Sequence, residues 1–223
     1  MSDDNATDHD GGAVDRGDAP RLDGNAAVDR ARERSRETAK RNIEDLPGLP
    51  IPADTANLRE GPSLHDGLLA LLPLVGVWRG EGQANTQVDG EYRFGQQIIF
   101  AHDGENYLTY ESRFWKIDED GEVVGPDLRE SGFWRINEDD EIEFLCTHST
   151  GVVEIYYGEP VSERAWEVQA ASTMVTATGP ASLGPGKRLY GLMPNNDLGW
   201  VDERVVGDEV VPRMSAQLRR WAG

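Results

Sequence analysis

Histidine and cysteine are the side chains of this sequence with the widest chemical use, as bases, nucleophiles or metal ligands. His148 lies two residues after Cys146 and four after Phe144, so the three share one strand face, which we expect to point to the interior. A metal-ligand or general-base role and a hydrogen-bonded core role are both open for His148, because no second histidine lies at ligand spacing. Cys146 lies in mid-strand without a basic neighbour, which predicts a buried structural thiol.

The remaining candidates for chemistry are weaker. His9 lies in the N-terminal tail, His65 at the start of a short helix, and His102 in what reads as a turn beside Asp103. The segment 184–187, GPGK, lacks the glycine spacing and the Ser/Thr of a phosphate-binding loop. No glycine-framed nucleophile elbow is present. The residues alone therefore predict an interior pocket without catalytic residues and without a metal site.

The segment 76–82, GVWRGEG, is the element around which the rest is organised. Three glycines and one tryptophan alternate along it, on one face of a strand: Gly76, Trp78, Gly80 and Gly82. Glycine within a strand marks a bend or a close approach of two backbones. We therefore predict the tightly curved first strand of a small barrel.

Alternating apolar and polar residues continue to the C-terminal region. They predict strands at 92–100, 107–117, 132–136, 142–147, 152–157, 166–171, 173–178, 188–193 and 198–206. Together with the glycine strand this makes about ten, the pattern of an all-β, antiparallel up-and-down β-barrel. Ahead of it, the leucine-rich segment 64–72 predicts a short helix that covers one barrel mouth, with Ser63 and Asp66 as a capping box.

The domain organisation follows from a change of composition near residue 60. Residues 1–60 are predicted to be an acidic, largely disordered extension with a helix at 25–45, and residues 61–223 the barrel. The net charge of −19 argues against nucleic acid and anionic membranes as partners. The acidic N-terminus lacks the apolar core of a signal peptide, and a single cysteine permits no internal disulfide, so we expect a cytoplasmic protein.

Several motifs together resemble one family. The segment 76–82 resembles the GxWxGxG signature of the nitrobindins, intracellular barrels that look like lipocalins and fatty-acid-binding proteins. The segments 92–96, 130–135 and 147–154 are similar to the family's second strand, its E-[ST]-G-[FY]-[FW]-R motif and its H-x-T-G-x-x-E stretch. The ending 212–220, PRMSAQLRR, looks like its P-H-L-x-A-x-L-x-R.

The resemblance implies a barrel that holds ferric haem b at an open mouth and isomerises peroxynitrite. It also implies that the histidine of the last motif binds the iron, but this sequence has Arg213 there. A guanidinium has no lone pair for iron, and the neighbouring Met214 offers a thioether, a weak ligand for ferric iron. The histidine on the family's open side corresponds to Leu128. No haem is therefore expected to bind in the family's manner.

The resemblance also implies an apolar, methionine-rich stretch where this sequence reads Asp202-Glu203-Arg204. Asp202 and Arg204 share strand parity with Trp200, so their charges are expected in the pocket wall. There they need partners or water, and we expect a polar cluster of Asp202 and Arg204 with Arg213.

Three functions are open at this point. The first is a barrel without haem iron, which either binds an unknown small ligand, hydrophobic or amphipathic, or has no pocket ligand. The second is a peroxynitrite isomerase that binds haem through Met214 or a rearranged His148. The third is an interaction protein that acts through its N-terminal arm. The family resemblance further implies a homodimer.

Overall fold

The computed structural model describes residues 23–38, 48–87, 89–180, 183 and 185–223. The chain divides into two units, Met1–Gly48 and Leu49–Gly223. The first contains helix α1 (Gly24–Thr38), which starts at a carboxylate of Asp23 that accepts from the Ala26 amide at 2.8 Å. None of its residues is buried. Helix α1 accounts for part of the predicted helix at 25–45, whereas residues 39–45, and residues 1–22 of the predicted disordered tail, lie outside the described residues.

The second unit is the predicted antiparallel barrel. Its strands are β1 (Gly76–Thr86), β2 (Gly90–Ala101), β3 (Leu108–Ile117), β4 (Val123–Ile136), β5 (Ile142–His148), β6 (Val152–Ser162), β7 (Ala165–Val175), β8 (Gly186–Leu192), β9 (Leu198–Val206) and β10 (Glu209–Ala222). Each strand pairs with its neighbours in sequence, and β1 pairs with β10, which closes the barrel. The barrel unit also includes the segment from Leu49 to the 3₁₀ helix, in which Thr55 pairs through its backbone with His102.

The number of strands is as predicted, but two of the predicted strands are one in the structure. Segments 166–171 and 173–178 form the single strand β7, which ends at Val175. Its register shifts opposite Ile155 and Tyr156, which breaks the alternation that the prediction relied on. The tenth strand is instead β10, whose alternation is interrupted by a bulge between Pro212 and Met214.

The glycines of β1 allow the two backbones at the barrel seam to approach closely. A Cβ atom on Gly80 would lie 2.1 Å from the carbonyl oxygen of Gln217 on β10, and one on Gly82 would lie 2.3 Å from that of Ser215. Trp78 is fully buried on the same face, and its indole N–H donates to the carbonyl of Leu74 at 2.7 Å. The glycine row therefore has the structural role that its spacing predicted.

A 3₁₀ helix (Asp66–Leu74) covers the barrel end at which β1 begins. Its buried residues are Leu68, Leu71 and Leu74, at the three-residue spacing of a 3₁₀ helix, whereas Leu69 is 57% exposed. The indole of Trp166 on β7 donates to the carbonyl of Ala70 at 2.8 Å. The predicted cap is wrong: His65 is the N-cap, and its Nδ1 accepts from the Gly67 amide. None of the described helices is long and apolar enough to cross a membrane.

Candidate functional site

Six buried side chains form a closed ring of ion pairs inside the barrel, toward the end opposite the 3₁₀ helix. In order around the ring they are Glu130 (β4), His148 (β5), Glu154 (β6), Arg204 (β9), Asp202 (β9) and Arg188 (β8). Acidic and basic groups alternate around it. All six are at most 8% exposed. Inward-facing positions on five strands thus contribute to a single charged centre.

Glu130 and Arg188 form the half of the ring that spans the barrel from β4 to β8. The guanidinium of Arg188 donates to both carboxylate oxygens of Glu130, from Nη2 at 2.7 Å and from Nη1 at 3.1 Å. The hydroxyl of Tyr110 on β3 donates to the same carboxylate at 2.8 Å. Two parallel charged hydrogen bonds of this kind fix both distance and orientation.

Glu154 and Arg204 form the second half in the same bidentate way. Nη1 and Nη2 of Arg204 donate to Oε1 and Oε2 of Glu154. The hydroxyls of Tyr156 and Thr173 also donate to this carboxylate, at 2.6 and 3.1 Å. Glu154 therefore has at least four donors around it in place of water, which is what a fully buried carboxylate needs.

Asp202 joins the two halves and also binds a third arginine. It accepts from Nε of Arg188 at 3.3 Å, from Nε of Arg204 at 3.1 Å and from Nη1 of Arg213 at 3.2 Å. Arg213 lies within the bulge of β10, and bulges redirect side chains. The polar cluster of Asp202, Arg204 and Arg213 that strand parity predicted is thus present, within a larger ring.

His148 closes the ring between the two glutamates. Its Nδ1 lies 3.2 Å from Oε1 of Glu130 and its Nε2 lies 3.1 Å from Oε2 of Glu154. His148 therefore bridges the two glutamates, and the ring joins three carboxylates to two guanidiniums and one imidazole.

The ring keeps its two glutamates ionised. Burial raises the pKa of Glu130, but Arg188 and His148 outweigh this and lower it to about 2. Burial likewise opposes ionisation of Glu154, and hydrogen bonds from His148 and Arg204 hold the pKa of Glu154 well below its usual range. Burial raises the pKa of the Tyr110 and Tyr156 hydroxyls, which stay protonated donors. The carboxylate oxygens of both glutamates therefore act as acceptors.

The described residues around the ring offer neither a free nucleophile nor an open metal site. Within the described residues one group, Glu130, Cys146 and His148, has its ligand atoms within 4.8 Å of one another. However, Glu130 is held by Arg188, and both nitrogens of His148 face carboxylates. Burial raises the pKa of the Cys146 thiol well above its ordinary value, so the sulfur stays protonated. The prediction of a buried thiol is confirmed.

The other residues named from the sequence lie apart from the ring or at its edge. Met214 is buried on β10, where it pairs in register with Asp202 on β9 and Ala84 on β1. Leu128 lies on β4 in the apolar core. The prediction of a turn position for His102 is wrong, because this side chain is fully buried. The backbone of His102 pairs with that of Thr55, in the segment that precedes the 3₁₀ helix.

Sequence reasoning missed three members of the ring: Glu130, Glu154 and Arg188. Each lies on an inward-facing position of its strand, in register parity with buried aromatic residues such as Tyr156 and Tyr190. The available signal was a charged residue at a strand position whose neighbours on the same face are apolar. The prediction of interior charges used this signal for β9 alone.

A cavity of about 820 Å³ lies at the barrel end away from the 3₁₀ helix. It is lined by residues of four strand ends: Gln83, Ala84, Asn85, Glu91, Tyr92, Arg93, Ile117, Asp118, Glu119, Pro212, Arg213, Met214 and Ser215. The hydroxyl of Tyr92 donates to Asp127 at 3.0 Å. Burial and Asp127 raise the pKa of Tyr92, and the positive charge of Arg213 opposes this. Arg213 thus lines this cavity and is also bonded to Asp202 of the buried ring.

Comparison with known proteins gives consistent matches. The model of the THAP4-like, heme-binding beta-barrel domain matches residues 67–220. A "Ferric nitrobindin-like protein" of Corynebacterium glutamicum (strain R) is 71% identical over 206 residues, which cover 92% of this chain and 90% of that protein. A "Peroxynitrite isomerase 2" of Rhodococcus jostii (strain RHA1) is 50% identical over 209 residues, covering 90% of this chain and 98% of that protein. The crystal structure of Rv2717c from M. tuberculosis superposes with a TM-score of 0.61 at 26% identity, covering 71% of this chain and 99% of that chain.

Proposed function

The chain belongs to the nitrobindin family of β-barrels, and from this premise we propose that it is a small-ligand-binding barrel that does not bind haem iron in the family's manner. The observation that carries the proposal is Arg213, which stands where the resemblance implies the axial histidine. Its guanidinium has no lone pair for a metal and is bonded to Asp202 of the buried ring.

The surroundings of Arg213 support the same conclusion. A haem iron needs a neutral imidazole or another donor with a free lone pair, close to an apolar cavity wall. Both nitrogens of His148 already face carboxylates, and the sulfur of Met214 belongs to a side chain packed in the apolar core. The residues present do not fit haem iron.

The competing function is a haem-dependent peroxynitrite isomerase that uses a substitute ligand such as Met214. Its support is the 50% identical relative whose name is "Peroxynitrite isomerase 2". The third function, interaction through the N-terminal arm, has helix α1 as its candidate element, with all its residues exposed except Ala26. The net charge of −19 favours neither nucleic acid nor an anionic membrane as partner, and a single buried thiol fits a cytoplasmic location.

Titration of the purified protein with haemin, followed by the Soret band, tests the proposal. Three proteins are compared: wild type, Arg213→His, which supplies an imidazole, and Arg213→Gln, which removes the same charge without supplying one. We expect no stoichiometric band from the wild type or Arg213→Gln, and a band from Arg213→His.

A stoichiometric band from the wild type would overturn the proposal and favour the isomerase. A band in neither variant would assign the loss of haem to the charged ring rather than to Arg213 alone. A band in both variants would mean that the guanidinium excludes haem and that another residue binds the iron.

A further inference from the structure

The cavity at the barrel end away from the 3₁₀ helix is lined by apolar groups and by two arginines. The apolar groups come from Ala84, Ile117, Pro212 and Met214, and the basic groups are Arg93 and Arg213. A volume of about 820 Å³ is within the usual range for small-molecule sites. The cavity therefore has both parts of a site for an amphipathic molecule.

Arg213 is one of three arginines that share the carboxylate of Asp202. Arg188 and Arg204 each pair with a glutamate of the ring as well. Among the described residues, Asp202 is the one carboxylate that pairs with Arg213. A carboxylate shared by three guanidiniums compensates the charge of each only in part, so Arg213 at the cavity wall favours an anionic ligand.

The guanidinium of Arg213 also has donors to spare. Its side chain is 22% exposed, and Nη1 donates to Asp202. In the part of the chain that the structure describes, Nε and Nη2 of Arg213 have no hydrogen bond. The other arginine of the cavity, Arg93, is committed to Glu81 and to the carbonyls of residues 118 and 119. Arg213 is therefore the donor that a ligand can reach.

The rim of the cavity limits how much negative charge a ligand can carry. It includes the carboxylates of Glu91, Asp118 and Glu119. Like charges repel, and repulsion grows with the charge of the ligand, so phosphates carrying two charges are disfavoured relative to a single carboxylate. A carboxylate also matches the paired donors of a guanidinium.

We infer that this cavity binds a small amphipathic monocarboxylate, whose carboxylate pairs with Arg213 and whose apolar part packs against Ala84, Ile117 and Met214. The inference rests on the proposed function, because a haem in the mouth would compete for the same space. The inference narrows the expected ligand from a hydrophobic or amphipathic molecule to one that carries a single negative charge.

Isothermal titration with decanoate, decan-1-ol and decyl phosphate tests this inference, because the three probes share one apolar chain. We expect decanoate to bind with 1:1 stoichiometry and at least tenfold more tightly than the alcohol and the phosphate. Arg213→Gln should lose at least tenfold in decanoate affinity and leave the affinity for the alcohol unchanged. The matched control is Arg219→Gln, on the outward face of the same strand, which removes an equal charge and should bind decanoate like the wild type.

Three results would overturn the inference: no decanoate binding, equal affinity for decanoate and decan-1-ol, or unchanged decanoate affinity in Arg213→Gln. Thermal unfolding of each variant shows whether it is folded. If Arg213→Gln unfolds, Arg213→Lys keeps the charge and should retain most of the preference for decanoate over the alcohol. Haemin titration of the same preparations separates the two proposals. A haem band in the wild type refutes the proposed function. Absence of both the haem band and decanoate binding refutes only the proposed ligand class.

Discussion

The most direct test of the buried ring is the removal of one charge, in Glu130→Gln. The substitution keeps the shape of the side chain but places an amide NH₂ group close to the N–H donors of Arg188, and leaves this guanidinium without the charge of its carboxylate. Breaking a buried ion pair on one side typically costs about 3–5 kcal/mol. The lowering of the Glu130 pKa from 4.5 to about 2 corresponds to about 3 kcal/mol.

Urea denaturation at pH 7 measures this loss as a fall in the free energy of unfolding. We expect Glu130→Gln to lose about 3 kcal/mol, equivalent to a fall in melting temperature of roughly 6–12 °C for a barrel of this size. Glu111→Gln is the matched control. Glu111 is about half exposed on β3, pairs with Arg113 and Arg129 at 4.0 and 3.6 Å, and should contribute at most about 1 kcal/mol.

The pH dependence has a defined sign. The folded pKa of Glu130, about 2, lies below the ordinary value of 4.5. Its stabilisation is therefore present above about pH 4.5 and is lost as the pH falls toward 2. The difference in stability between wild type and Glu130→Gln should accordingly shrink below about pH 4.5. If Glu130→Gln is as stable as Glu111→Gln at pH 7, Glu130 is not an ionised member of the ring and the reasoning is refuted.

Three further predictions concern other parts of the chain. Burial lowers the pKa of His102, and its ring nitrogens have no hydrogen-bond partner among the described residues. The free energy of unfolding should therefore fall as the pH drops below about 6.5. Urea denaturation should show a smaller fall for His102→Leu than for the wild type, and an equal fall would contradict this prediction. Arg220 donates to two backbone carbonyls ahead of β1, and its Cζ lies 4.1 Å from the ring centroid of Trp78. Arg220→Met should therefore lose about 2–3 kcal/mol of unfolding free energy in urea denaturation, whereas the exposed control Arg219→Met should lose less than about 0.5 kcal/mol. If the protein is a homodimer, light scattering should give twice the single-chain mass of 24.6 kDa. Leu145 lies in an apolar row across the outer face of β4–β6, so Leu145→Glu should give the single-chain mass. A monomeric wild type would refute the dimer.

The sequence alone was sufficient to predict the barrel and the presence of charged residues in its interior. Alternation with a period of two assigns each residue to a face, so Asp202 and Arg204 could be placed inside from Trp200 alone. The glycine row of β1 could be understood locally as well, because a missing Cβ has one main use in a curved strand. Both inferences depend on residues a few positions apart.

Only the tertiary structure decided what those interior charges meet. Glu130 and Arg188 are 58 residues apart and face each other across the barrel, a relation that parity does not contain. The direction of Arg213 depends on a bulge, and the burial of His102 on pairing with Thr55, so neither follows from local pattern. Strand periodicity determines which face a side chain takes, whereas barrel closure and register determine its partners, and the chemistry of this site lies in the partners.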